Sequence, residues 1–208
     1  MSSPPRLTTT SYSLLGLLAI QPWSAYDLAK QMDRSLSRFW PRARSKIYEE
    51  PRKLASLGLA RSTTKRAGLR ERTVYTITAK GRRTLAAWLE RPSEPPAFES
   101  EHLLKVFFGE HGTTADIEST LGQLREWALD QRGQSIAVGR EYLTRSGPYP
   151  ERLPIHTLTG RFLTDYYELL ADWSSWATTV VESWPDDPRD AEPDWALVEQ
   201  VARRRPRT

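Results

Sequence analysis

The stretch Ser45-Lys46-Ile47-Tyr48-Glu49-Glu50-Pro51-Arg52-Lys53-Leu54-Ala55-Ser56-Leu57-Gly58-Leu59, followed by Thr73-Val74-Tyr75-Thr76-Ile77-Thr78 and then Gly81, decides the fold. It reads as a helix, a glycine stop, a β-hairpin and a second helix start, with many arginines and lysines throughout. That order is what a winged helix-turn-helix needs. One helix fills a DNA groove while a basic hairpin touches the backbone beside it.

The spacing predicts a helix over 42–57. Ile47, Pro51, Leu54 and Gly58 share one face, and Arg42, Ser45, Lys46, Tyr48, Glu49, Arg52 and Lys53 collect on the other. Gly58 supplies the left-handed residue that a helix end often requires. Pro51 inside a helix would remove a hydrogen bond and crowd the turn before it, so a bend is expected around 47–51. Strands are expected over 59–64 and 72–78, where Tyr75 and Ile77 alternate with Thr76 and Thr78. The turn between them, Lys65-Arg66-Ala67-Gly68-Leu69-Arg70-Glu71, is basic.

Upstream, Leu14, Leu15, Leu17 and Leu18 place a first helix over 10–20, which Pro22 stops. Ser24-Ala25-Tyr26-Asp27 fits a capping box that opens a second helix. Downstream, Thr78 caps a fourth helix through Leu85, Trp88 and Leu89. Pro92-Ser93-Glu94-Pro95-Pro96 then breaks the chain. The second half reads as helical: one helix over 99–110, one from Ile117 to about Leu143 with Ile117, Leu121, Leu124 and Ala128 in register, and one over 155–181. On the last, Phe162, Tyr166, Leu169, Trp173, Trp176 and Val180 form a stripe that needs a partner, within the chain or on a second subunit. The expected organisation is a winged helix-turn-helix at 1–91, a linker at 92–97, a helical dimerisation and effector domain at 98–183, and a loosely ordered tail at 184–208. The fold class is mostly α with a small β-wing.

Charge divides at the same place. Residues 1–91 carry 18 Lys+Arg against 6 Asp+Glu, a net +12. Residues 92–208 carry 12 against 20, a net −8, so the whole chain is +4. A basic first half on an acidic second half points to a polyanion partner for the first half alone. There are no cysteines, so disulfides, zinc–thiolate sites and cysteine catalysis are excluded. No apolar run reaches the ~20 residues of a membrane span. No cleavage site follows residues 14–20, so no signal peptide is expected. The expected location is cytoplasmic.

Base edges are read by a groove-filling helix, and flanking cations hold phosphates. The candidate DNA contacts are Arg42, Ser45, Lys46, Tyr48 and Arg52 on the third helix. Arg34, Arg38 and Arg44 lie beside it, and Lys65, Arg66, Arg70 and Arg72 form the wing. Glu49 fits either cytosine N4 or a pair with Lys46 or Lys53. A second candidate is the aromatic set Trp127, Tyr166, Tyr167, Trp173 and Trp176. It suits core packing and a dimer interface, and also a flat aromatic ligand if Arg161, Asp165 or His156 converge on it. Enzyme chemistry has no support: His102 and His111 are nine residues apart, not the i,i+4 spacing of a helical metal pair, and neither a Gly-rich phosphate loop nor a G-x-S-x-G elbow occurs. No cofactor or metal is expected.

With these residues in view, the chain resembles the PadR family of transcriptional regulators. Ile47-Tyr48, Leu54, Leu57-Gly58-Leu59, the run Tyr75-Thr76-Ile77-Thr78-Ala79-Lys80-Gly81 and Leu85 carry the resemblance, joined by Glu101-His102-Leu103-Leu104-Lys105-Val106-Phe107-Phe108. It covers roughly residues 8–181. Pro51, where the family usually has leucine, and Ala55, in place of a common acidic residue, depart from it. The resemblance implies a homodimer on a roughly palindromic double-stranded DNA operator, with repression relieved by a small ligand; a small aromatic effector is a candidate partner. It also implies an interface built from the C-terminal helices; Leu104, Phe107, Phe108, Trp127, Phe162, Tyr166, Leu169, Trp173 and Trp176 are the candidates for that interface or for a ligand pocket. Two other readings stay open: a protein-interaction scaffold that uses the winged helix for docking, and a sensor whose main task is ligand binding.

Overall fold

The computed structural model describes residues 6–41, 47–67 and 70–204, with the side chains of 65–67 and 70 set aside. The chain forms two compact units, 1–96 and 97–208.

In the first unit, α1 (Thr9–Ile20) is the central helix, with Tyr12, Leu14, Leu15, Leu17 and Leu18 buried on several sides. A helix that is apolar nearly all round belongs inside a domain. Its N-terminus is closed by a capping box between Thr8 and Ser11. Next come β1 (Trp23–Ser24) and α2 (Ala25–Ser35). Ser24 caps α2 by accepting the Asp27 N–H. The Trp23 indole donates to the Leu17 carbonyl at 3.0 Å and holds β1 under the end of α1.

Helix α3 spans Glu50–Ser56, with 47–49 in a turn before it. The bend expected from Pro51 is therefore a helix start. Pro51 is the second helical residue, where no intrahelical partner exists for its missing N–H. Residues 42–46, where the longer helix was expected to begin, lie outside the described residues. The C-terminus closes as a Schellman motif: Leu59 N donates to Leu54 O and Gly58 N to Ala55 O, with Gly58 at φ +70°.

Strands β2 (Ala60–Ala67) and β3 (Arg70–Ile77) are longer than the sequence suggested and leave only Gly68 and Leu69 between them. The sheet order is β1-β3-β2, all antiparallel, with Trp23 opposite Tyr75 and Ser62 opposite Tyr75 on the other side. The two-residue β1 is too short to show an alternating pattern, and the sequence reading missed it. Helix α4 (Ala79–Leu89), capped by Thr78, stacks Trp88 on Tyr12 of α1 with ring centroids 4.9 Å apart and planes 6° from parallel.

The second unit comprises α5 (Glu101–Phe107), α6 (Thr114–Leu143), α7 (Leu153–Val181) and α8 (Trp195–Ala202). Helices α6 and α7 form an antiparallel pair. Ile117, Leu121, Leu124 and Ala128 of α6 are buried, the stripe expected from their spacing. On α7 the outcome differs. The buried residues are Leu163, Tyr167, Leu170, Ala171, Ser174, Ala177 and Val181, one position on from the expected stripe. Close approach to α6 selects the face with Ala171, Ser174 and Ala177, and the bulky neighbours Phe162, Leu169 and Trp176 stay exposed.

The tail also departs from expectation. The Thr114 N–H at the start of α6 donates to Asp186 O at 3.0 Å, and the Thr114 hydroxyl donates to Pro185 O. An otherwise orphaned amide of the first helical turn thus anchors the segment. A 3-10 turn over Pro188–Asp190 and then α8 follow.

Candidate nucleic-acid interface

Helix α3 has an inward and an outward side. Ile47, Glu50, Pro51 and Leu54 are buried, whereas Tyr48 and Arg52 are exposed. The outward side of α3 and the turn before it therefore present the Tyr48 phenol, the Glu49 carboxylate and the Arg52 guanidinium. Arg42, Arg44, Ser45 and Lys46 lie outside the described residues. Arg34 is exposed in the last turn of α2, and Arg38 is half-buried just beyond it.

The wing begins where Thr64 pairs with Thr73, and its backbone register runs Lys65 to Arg72, Arg66 to Glu71 and Ala67 to Arg70. The side chains of Lys65, Arg66 and Arg70 lie outside the described ones. Arg72 has a role that was not expected. Its guanidinium donates to Asp27 Oδ2 at 2.7 Å, and the same carboxylate oxygen accepts from the Ser24 hydroxyl at 3.0 Å. Arg72 therefore ties the base of the wing to the start of α2, which limits its freedom to meet a phosphate. The pair is partly exposed and contributes little stability by itself.

Sequence reading missed Glu50. Its carboxylate is buried at 7% exposure, accepts the Ser11 hydroxyl and lies 3.0 Å from the Lys53 ammonium. Lys53 is thus partnered by Glu50, not Glu49. The signal was present: residue 50 stands three after Ile47 and four before Leu54, on the apolar face of the same helical pattern.

In the second unit the aromatic residues pack in pairs. Trp127 meets Tyr167 edge-on at 5.5 Å, and Phe162 stacks on Tyr166 at 6.4 Å. Tyr166 also touches Phe98 and Tyr167, and its phenol is pushed above its ordinary pKa by burial. Trp173 packs into the α6–α7 core. Arg161 pairs with Asp165 on the exposed side of α7, and His156 instead bonds Tyr142. The three polar candidates do not converge on one site. A separate open cleft of about 510 Å³ lies against α5 and α6, lined by Leu104, Phe108 and Ile117 with Lys105 and His111 at its edge. Phe107 meets Phe108 edge-on and is otherwise the most exposed aromatic of α5.

Three helices, a three-stranded sheet with an extended β2–β3 hairpin and a closing helix define the first unit as a winged helix-turn-helix domain. Residues 14–87 match the Transcriptional regulator PadR-like family. The match falls within the first unit. The chain is 34% identical over 99 residues to the negative transcriptional regulator PadR of Bacillus subtilis, which is 47% of this chain and 54% of that protein. It is 34% identical over 85 residues to a probable transcriptional regulator of Mycobacterium tuberculosis, 40% of this chain and 45% of that one. The chain thus spans about half the length of the curated relatives it matches. Among solved structures, Bacillus subtilis PadR in complex with operator DNA superposes with a TM-score of 0.73 at 21% identity, covering 84% of this chain and 99% of that one. The same protein with p-coumaric acid gives 0.64 at 22% identity, covering 85% and 100%. The Vibrio cholerae virulence activator AphA gives 0.58 at 21%, covering 84% and 99%. Among the described residues, no helix is long and apolar enough to cross a membrane.

Proposed function

We propose that this chain is a cytoplasmic, homodimeric, sequence-specific DNA-binding transcriptional repressor, relieved by a small aromatic effector. The observation that carries the reading is the outward pair Tyr48, in the turn before α3, and Arg52 on α3, beside a hairpin rich in arginine, on a winged-helix frame. Arg52 suits guanine O6 and N7, and the wing suits phosphate. Arg34, Arg38, Arg42, Arg44, Ser45, Lys46, Lys65, Arg66 and Arg70 complete the proposed contact set. The +12 charge of residues 1–91 supplies the long-range attraction. The relative solved with operator DNA supports the DNA partner, and its complex with p-coumaric acid supports an aromatic effector. Dimerisation rests on the exposed apolar stripe of α7 and on Leu104, Phe107 and Phe108 of α5.

Fluorescence anisotropy on DNA from upstream of the chain's own gene, against a scrambled duplex at two salt concentrations, tests the reading. The expected result is tight binding to the upstream duplex alone, surviving moderate salt. Equal and salt-sensitive binding to both duplexes would show only a basic surface. Binding to neither at low salt would overturn the DNA reading in favour of a scaffold.

A further inference from the structure

We infer that Glu50 is a positioning residue for DNA reading: with Ser11 and Lys53 it fixes the roll of α3 on α1, and so the aim of Tyr48 and Arg52. The inference rests on the proposed DNA-binding role.

The network is continuous. The Thr8 N–H donates to Ser11 Oγ at 2.9 Å, the Ser11 hydroxyl donates to Glu50 Oε1, and Lys53 Nζ donates to that same oxygen at 3.0 Å and to the Arg6 carbonyl at 3.2 Å. Ser11 is fully buried and Glu50 almost so. Apart from the Lys80 bond to Leu57 O and the Thr78 bond to Gly58 O at its C-terminal exit, the remaining contacts of α3 with its own unit are apolar, through Pro51 and Leu54 with Ile47 just before it. Apolar burial is non-directional and tolerates a helix rolling on its neighbour. Hydrogen bonds to a buried carboxylate are directional and strong. Burying that carboxylate is costly for stability compared with an apolar residue of similar size. What it supplies in return is a fixed angle.

The geometry makes the angle matter. Glu50 and Arg52 are two residues apart, so at 3.6 residues per turn they point to nearly opposite sides of α3. A roll of roughly 20° moves a side-chain tip ~5 Å from the axis by about 2 Å, which breaks a base-edge hydrogen bond. A phosphate contact made by long flexible cations elsewhere would survive it.

The test uses the full chain and a duplex selected by the wild type from a random library, with a scrambled duplex as control. Ser11→Ala/Glu50→Leu removes both polar partners together, which leaves no buried carboxylate unpaired. Glu50→Gln keeps the acceptor for Ser11. The double variant is expected to lose about tenfold or more in the ratio of selected to scrambled affinity, with scrambled affinity and salt slope near wild type and a thermal midpoint lowered no further than in Ser11→Ala alone, which loses the same bond to the Thr8 N–H. Glu50→Gln should keep the ratio within about threefold. A double variant that discriminates like wild type would overturn the inference. So would equal loss on both duplexes with a lowered thermal midpoint, since that marks a structural role only. A wild type that selects no sequence would remove the DNA reading itself, and the inference with it.

Discussion

The run from Tyr75 to Gly81 shows how single residues set this domain. Tyr75 is buried in the sheet's centre. Thr78 accepts the Gly81 N–H at 3.0 Å to start α4, and its hydroxyl donates to Gly58 O at 2.7 Å. Lys80 reaches the Leu57 carbonyl at 2.8 Å, placing an ammonium at the negative end of α3. Gly81 lies so close to the α3 exit that an added Cβ would stand 2.1 Å from Leu59 O and 2.8 Å from the Ile77 side chain. The backbone carbonyl cannot yield as a flexible side chain would. Gly81→Ala is therefore expected to destabilise the first unit by about 3 kcal/mol, read by chemical denaturation. A loss below ~1 kcal/mol would show that α4 relaxes away. Arg52 is exposed, so its removal should leave stability nearly unchanged. Arg52→Ala is expected to weaken specific operator binding by about 1–3 kcal/mol while barely changing non-specific binding. Unchanged operator affinity would remove Arg52 from the base-reading set.

At the scale of elements, what the sequence reveals depends on whether one pattern competes with another. The α6 stripe of Ile117, Leu121, Leu124 and Ala128 was legible because no second apolar row accompanies it. On α7 two apolar rows lie side by side. The larger aromatic row drew the sequence reading, while packing against α6 favoured the row with smaller residues. Pro51 misled for a related reason, since a proline in an apolar stripe reads as a bend when the helix start is unknown. Spacing placed Glu50 on the apolar face of α3, but its partner Ser11, 39 residues away, was not legible. The α6–α7 connection holds a titrating element of this kind. Tyr142 donates its one proton to Pro148 O at 2.9 Å, so it accepts from His156 Nδ1 at 2.8 Å. Burial, aided by the Arg152 charge and opposed by Glu151, lowers the His156 pKa below its ordinary value. A histidine with a lowered folded pKa binds fewer protons folded than unfolded. Its contribution is present above the unfolded pKa of ~6.5 and is lost as pH falls from there through the folded pKa. The thermal midpoint of the wild type is expected to drop more steeply between about pH 7 and pH 5 than that of His156→Gln. Parallel profiles for the two proteins would refute this.

Across the whole molecule, charge and exposed apolar surface divide between the two units. The first holds the net positive charge, and the second holds an unpaired apolar row. On α7, Ile155, Leu158, Phe162, Leu169 and Trp176 follow steps of three, four, seven and seven, and all are exposed. These are four a positions and the first d position of a heptad pattern, with Asp165, Asp172 and Thr179 at the d positions that follow. So many exposed bulky apolar residues on one side of a helix are uncommon on the surface of a monomer. They would be covered by a second copy in the proposed homodimer, and the two acidic positions restrict how that copy can lie, since like charges facing each other are unfavourable. Phe162, at 65% exposure in the single chain, is the discriminating residue. Its replacement by aspartate removes the stack on Tyr166 but no buried side chain, so the helical circular dichroism of Phe162→Asp should stay close to wild type. In the dimer the same change places a third carboxylate in the apolar seam. The dissociation constant for self-association is expected to rise by about thirtyfold or more, measured by sedimentation equilibrium. Operator affinity should fall with it at concentrations where the variant is monomeric, because one half-site then binds without its partner. Unaltered self-association in a folded Phe162→Asp variant would place the interface elsewhere and leave the α7 row without its proposed partner.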